Sequence, residues 1–135
     1  MTVTVIQIGL DPEVIDYSSP EFAQFAGLSK EVLRAANDDN VAGLRAAGYQ
    51  VDNCLIDFGA TGVEKAGEWL RAKRYDAVLI GAGIRLVAGN TLLFESIVNI
   101  AHATQPGCRF VFNQAAQATP GDIRRWYPEP EGAIR

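Results

Sequence analysis

The sequence predicts an α/β protein of three layers, with four parallel strands held between two layers of helices. Three observations carry this reading. Strand-like and helix-like segments alternate four times along the 135 residues. The third and fourth strand-like runs are dominated by apolar residues, and the third is apolar on both faces, which requires helices on both sides of the sheet. The second run instead carries Gln50, Asp52 and Asn53, a polarity that suits an edge position.

The elements follow in order. Thr2–Gly9 is a β-branched run closed by glycine, a first strand. Ser29 can cap a helix from about Lys30 to Ala47, with Val32, Leu33, Ala36 and Leu44 on its inward stripe. Gly48 ends that helix and leads into a second strand over Tyr49–Asp57. Thr61 and Glu64 stand at capping-box spacing, which starts a helix running to about Lys73. Asp76–Gly83 is the third strand. Asn90 caps a helix from Thr91 to about Thr104, closed by Pro106 and Gly107. Cys108–Asn113 is the fourth strand, and Thr119 with Pro120 opens a short last helix through Trp126. The tail from Pro128 onward reads as irregular.

Two strand orders suit this alternation. The Rossmann order 3-2-1-4 makes the second strand central, whereas the flavodoxin-like order 2-1-3-4 makes it an edge. The contrast between the polar second strand and the apolar third favours 2-1-3-4. The whole of 1–135 is expected to be one domain.

Composition narrows the function classes. Apolar residues make up 48% and charged residues 21%, a globular balance, and the formal charge is −4 with no Lys/Arg run. Strong nonspecific binding to nucleic acid is not expected from that surface. No apolar run has membrane-spanning length and no basic leader precedes the first strand, so a soluble, cytoplasmic protein is expected. Cys54 and Cys108, with His102 as the one histidine, make neither a disulfide framework nor a metal site, and no cofactor is expected. The cysteines lie in strands and read as packing residues.

In open α/β sheets ligands bind beyond the carboxyl ends of the strands, where the strand order reverses. With order 2-1-3-4 that place lies between the first and third strands. It would be lined by Gly9, Leu10, Asp11 and Pro12 on one side and Gly81 to Arg85 on the other, with Asp57 and Asn113 further out. Gly9, Gly81 and Gly83 would let backbone approach a ligand. Arg85 would offer its guanidinium to the carboxylate or phosphate of a small anionic metabolite, unless it pairs with Asp11 or Glu95 as a structural salt bridge. Asp11 or Glu95 could serve as a general base, and Tyr17 could close from above. Tyr17, Phe22 and Phe25 belong to a connection of about twenty residues, Leu10 to Ser29, which reads either as a lid or as a plain surface loop. An enclosed polar crevice would favour a binding protein or enzyme. A crevice filled by Phe22 or Phe25 would favour a noncatalytic oligomerising or regulatory domain.

Other patterns carry less. Gly81 and Gly83 lack the third glycine of a dinucleotide fingerprint, and Gly59 to Gly62 follows the wrong strand for a flavin phosphate loop. Glu95, Asn99 and His102 form a polar helical stripe, either solvated or part of a subunit interface. Phe110, Val111 and Phe112 make the fourth strand an apolar edge, which predicts a homodimer unless Trp126 and Tyr127 fold over it. The segment Gly81–Arg85, with Leu92–Glu95, His102, Phe112 and Asn113, resembles a family of small bacterial conserved hypothetical proteins. The resemblance implies a Rossmann-like or flavodoxin-like fold and no assigned activity.

Overall fold

A computed structural model describes residues 2–128. Four strands, β1 (Thr4–Leu10), β2 (Gln50–Ile56), β3 (Ala77–Ile80) and β4 (Arg109–Phe112), form one all-parallel sheet in the order β2-β1-β3-β4. The helices are α1 (Lys30–Ala46), α2 (Gly59–Ala72), the single turn α3 (Ala82–Arg85), α4 (Thr91–Thr104) and α5 (Thr119–Trp126). The order is the one that the polar second strand predicts. The irregular tail expected beyond Pro128, with Pro130, lies outside the described residues.

Strand alternation divides the core in two. Val5 and Val3 turn toward α1 and α5, where Val41, Leu44, Val51, Leu79, Val111 and Ile123 pack. Ile6, Ile8 and Leu10 turn toward α2 and α4, among Ile56, Ala66, Leu70, Val78, Ile80, Ile97 and Ala101. With apolar residues committed on both faces, β1 and β3 must lie between helix layers. β2 keeps Asp52 half-buried at the edge, where its carboxylate accepts hydrogen bonds from Tyr75 Oη (2.6 Å) and Lys73 Nζ (2.8 Å). Burial pushes the Asp52 carboxyl up, but these two donors outweigh it and hold its pKa below the usual value.

The ends of β1, β2 and β4 shift by one or two residues from the sequence expectation, and three other boundaries differ for a local reason. α2 starts at Gly59, not Thr61, because Gly59 takes the left-handed turn (φ 74°) that begins the helix early. The Thr61 hydroxyl then turns back to donate to the Asp57 carboxylate at 2.7 Å instead of capping the helix. β3 is shorter than expected, since the chain leaves the sheet at Gly81 and coils into α3. Thr119 sits inside α5, and its hydroxyl accepts from Asn113 Nδ2 at 2.9 Å.

Gln105, at the end of α4, joins three elements. It is 2% exposed. Its Oε1 accepts from the Tyr75 backbone N–H (2.8 Å), and its Nε2 donates to the carbonyls of Leu70 and Lys73 (2.7 Å each). Those carbonyls belong to the orphan C-terminal end of α2, which buried backbone must satisfy somehow. We expect Gln105→Met, similar in shape but without the amide, to lower stability by about 2–4 kcal/mol in urea denaturation, because it strands buried backbone groups. A loss below about 0.5 kcal/mol would show that water replaces the amide.

Candidate functional site

The two central strands separate at one point. β1 pairs with β3 only as far as Ile8 and Ile80, and Gly81 N–H donates to the Ile8 carbonyl at 2.9 Å as the last bond between them. β1 stays with β2 through Leu10 and Ile56, and Asp11 N–H continues to the Ile56 carbonyl at 2.8 Å. Beyond Ile8 a gap therefore opens between Gly9 and Gly81. A cavity of about 80 Å³ occupies it on the α1 face.

The floor is Gln7, Gly9, Leu79 and Gly81, and Asn113 closes the side toward β4. Leu33 and Asn37 of α1 form one wall, and Ala115 and Ala116 another. The roof is the long connection, which brings Ile15, Phe22, Phe25 and Leu28 over the gap. That connection is an ordered structure. Asp11 and Ser19 each cap a short 3₁₀ turn, over Pro12–Val14 and Pro20–Phe22. Tyr17 Oη donates to the Pro12 carbonyl at 2.7 Å. Glu21 accepts from Gly89 N–H at 3.0 Å, and Gln24 donates to the Leu86 carbonyl at 3.1 Å, so the connection is tied to the segment before α4. Phe22 and Phe25 line the cavity without filling it, packed against each other with centroids 6.0 Å apart.

Of the residues singled out in the sequence, Gly9, Gly81, Gly83 and Asn113 border the cavity. Asn113 is 5% exposed and fully engaged, accepting from Ala82 N–H (2.8 Å) and donating to Thr119. It thereby fixes the starts of α3 and α5 against the end of β4. The other four lie elsewhere. Asp11 caps its own turn by accepting from Glu13 N–H at 2.9 Å and stands 3.8 Å from Arg34. Tyr17 folds back on its own loop, and burial with the nearby Glu13 carboxylate raises its pKa. Arg85 donates to the Asn113 carbonyl at 2.7 Å and lies 5.2 Å over the Phe112 ring. Partial burial lowers its pKa, opposed by the Asp122 carboxylate. Glu95 is exposed on α4 with Asn99 and His102. Arg85 pairs with neither Asp11 nor Glu95 in an ion pair.

Two cavity residues escaped the sequence reading. Gln7 interrupts the apolar run of β1; it is 5% exposed, and its Oε1 is buried with no hydrogen-bond partner. Its Nε2 donates to Asn53 Oδ1 at a long 3.4 Å. Asn37 is 9% exposed and makes no side-chain hydrogen bond among the described residues. Each could have been found: a lone amide inside a central apolar strand, and an asparagine one turn beyond Leu33 on the inward stripe of a helix. A buried amide oxygen left unpaired, as in Gln7, costs about 1–3 kcal/mol. No charged side chain borders the cavity, and among the described residues no cluster of His, Cys, Asp or Glu could hold a metal ion. Cys54 is fully buried and its thiol is pushed up to about 11, which keeps it protonated and unreactive.

Compared with known proteins, the chain matches no family model, no curated protein and no solved structure.

The Asn113 bridge can be checked directly. We expect Asn113→Ala to cost about 2–3 kcal/mol in chemical denaturation, since Ala82 N–H is left buried without an acceptor. Amide exchange should speed up first at Ala82. Unchanged exchange there would mean that another group accepts from it.

Proposed function

We propose that this protein binds a small molecule at the carboxyl edge of β1 and β3. One observation carries the reading: a half-open cavity beneath an ordered roof, at the point where the strand order reverses. Ligand sites in open α/β sheets concentrate there, and most are largely preformed. The polar side chains on the cavity wall, Gln7, Asn37 and Asn113, do not titrate. This supports binding rather than acid–base catalysis. An anionic metabolite held by Arg85 would need that guanidinium to give up its bond to the Asn113 carbonyl.

A thermal-shift screen of phosphates, nucleotides, organic acids and small neutral compounds tests this reading, run in parallel on Ala116→Leu and Arg85→Ala. Leucine at 116 would occupy the cavity. At saturating ligand the midpoint should rise by a few degrees in the original protein and not in Ala116→Leu. Loss of the shift in Arg85→Ala as well would support an anionic ligand. Equal shifts in the original protein and Ala116→Leu would place binding elsewhere and overturn the reading.

A second reading, a homodimer, rests on β4. Among the described residues β4 pairs only with β3, and it carries Phe112 at 38% exposed. Trp126 and Tyr127 fold against the start of this strand instead of along it. The Arg109 guanidinium lies 5.7 Å from the Trp126 ring and 5.1 Å from Tyr127, whose hydroxyl donates to the Asp76 carbonyl at 2.9 Å. An apolar edge left open favours pairing with a second copy, and a two-fold axis would join β4 to β4 antiparallel. Light scattering at micromolar concentration should then give twice the chain mass of 14.6 kDa, falling toward the single mass in Phe112→Lys. A single mass for the unaltered protein would refute the dimer.

A further inference from the structure

The walls of the cavity say which ligand chemistry suits it, an inference that rests on the binding reading above. Two facts bear on this. The first is how polarity is divided on the α1 side of the sheet. Toward the amino ends of the strands the α1 side is apolar, with Val3, Val5, Val41, Leu44 and Ile123 buried together. Toward the carboxyl ends the same side carries buried amides, Gln7 from β1 and Asn37 and Asn40 from α1. Because α1 runs antiparallel to the strands, its early residues lie over the late residues of β1, and both sets meet at the cavity.

The second fact is how those amides are used. Asn40 donates to the Ala116 carbonyl at 2.6 Å, and Asn113 is committed to Ala82 and Thr119. The Oε1 of Gln7 is buried without a partner, and the Asn37 side chain, which lines the cavity, makes no hydrogen bond among the described residues. An apolar side chain at position 7 would avoid the cost of that orphaned oxygen, which destabilises the fold until something donates to it. A primary amide offers both donors and an acceptor and carries no charge. The remaining walls, Leu33, Phe22, Phe25 and Leu79, are apolar.

We infer that the cavity takes a small uncharged molecule with an apolar body and a polar head that both donates and accepts, an amide or an alcohol, with Asn37 as its binding residue. An 80 Å³ cavity is about half the ~150 Å³ that accommodates benzene in an engineered apolar cavity. It would hold the polar head with part of a three- or four-carbon body, the rest reaching out through its open mouth. An anion is disfavoured, because no cation borders the cavity to replace its hydration.

Isobutyramide and isobutyrate make the test, since they share shape and differ in charge. Each is titrated into isotopically labelled protein while the amide signals of Gly9, Gly81 and Asn113 and the side-chain amide of Asn37 are followed. Isobutyramide should bind at least tenfold more tightly than isobutyrate. Asn37→Leu, which puts a strong helix former in α1, should fold with an undiminished thermal midpoint and lose that preference. Arg85→Ala should leave isobutyramide affinity unchanged. Isobutyrate binding at the same signals as tightly as the amide would overturn the ligand class while leaving a small-molecule site in place. An isobutyramide preference that survives Asn37→Leu would equally overturn the role of Asn37. If neither compound moves any of these signals, the ligand class inferred here fails, while the binding reading stands or falls on the wider thermal-shift screen.

Discussion

Everything at the top of this molecule depends on where β1 and β3 stop pairing. In a parallel sheet each central strand has two neighbours, and a ligand can enter only where the chain leaves them in opposite directions. Here the chain leaves β1 over α1's face, while after β3 it turns into α3. The last shared bond, Gly81 to Ile8, also marks where the cavity begins on the α1 face. Above it the two glycines contribute no side chains: a Cβ at Gly81 would make ordinary contact with the Gly9 Cα at 3.6 Å, and one at Gly9 would meet open space. Asn113 keeps the cavity from collapsing sideways by pinning the starts of two helices, and the long connection roofs it from above.

The contrast between the two faces follows from that same geometry. The α2 and α4 face is packed with Ile6, Ile8, Leu10, Ile56, Ile80 and Ile97 along the full height of the sheet. The α1 and α5 face has the same kind of core only in its lower half. The roof residues Ile15 and Phe22 join the first core at its upper end, so the connection is anchored by hydrophobic contact as well as by the bonds of Glu21 and Gln24. A segment held in that way costs much of its ordering entropy at folding, which leaves little to be lost when a ligand arrives.

Strand order was legible because a sheet records burial directly. Gln50, Asp52 and Asn53 mark an edge, and the apolar Ala77–Ile80 marks a centre. Glycines and Asn113 at the carboxyl edge were likewise legible, because a reversal in order fixes which strand ends face a gap. The side-chain roles were less so. Charged residues near a predicted crevice attract attention, yet Asp11 is needed for its own turn and Arg85 is engaged by a backbone carbonyl. Those engagements are local, and sequence spacing does not distinguish a capping carboxylate from a catalytic one. Gln7 and Asn37 lay outside the expected site because each sits within a regular element. Their importance appears only when a strand from residue 7 and a helix from residue 37 are brought to the same cavity.

Gln105 has a further bearing on how the chain reaches this state. Its amide links the end of α4 to backbone 30 to 35 residues earlier, so it spans the β3 crossover and the close of the one before. We expect such a contact to form only after both helices have docked on the sheet. Interactions made late in assembly have little influence on how fast a chain folds and act mainly on how fast it comes apart. The joint is thus a latch on the finished α2–β3–α4 unit, and the persistence of the native state in time, rather than the speed of its formation, is the property it governs.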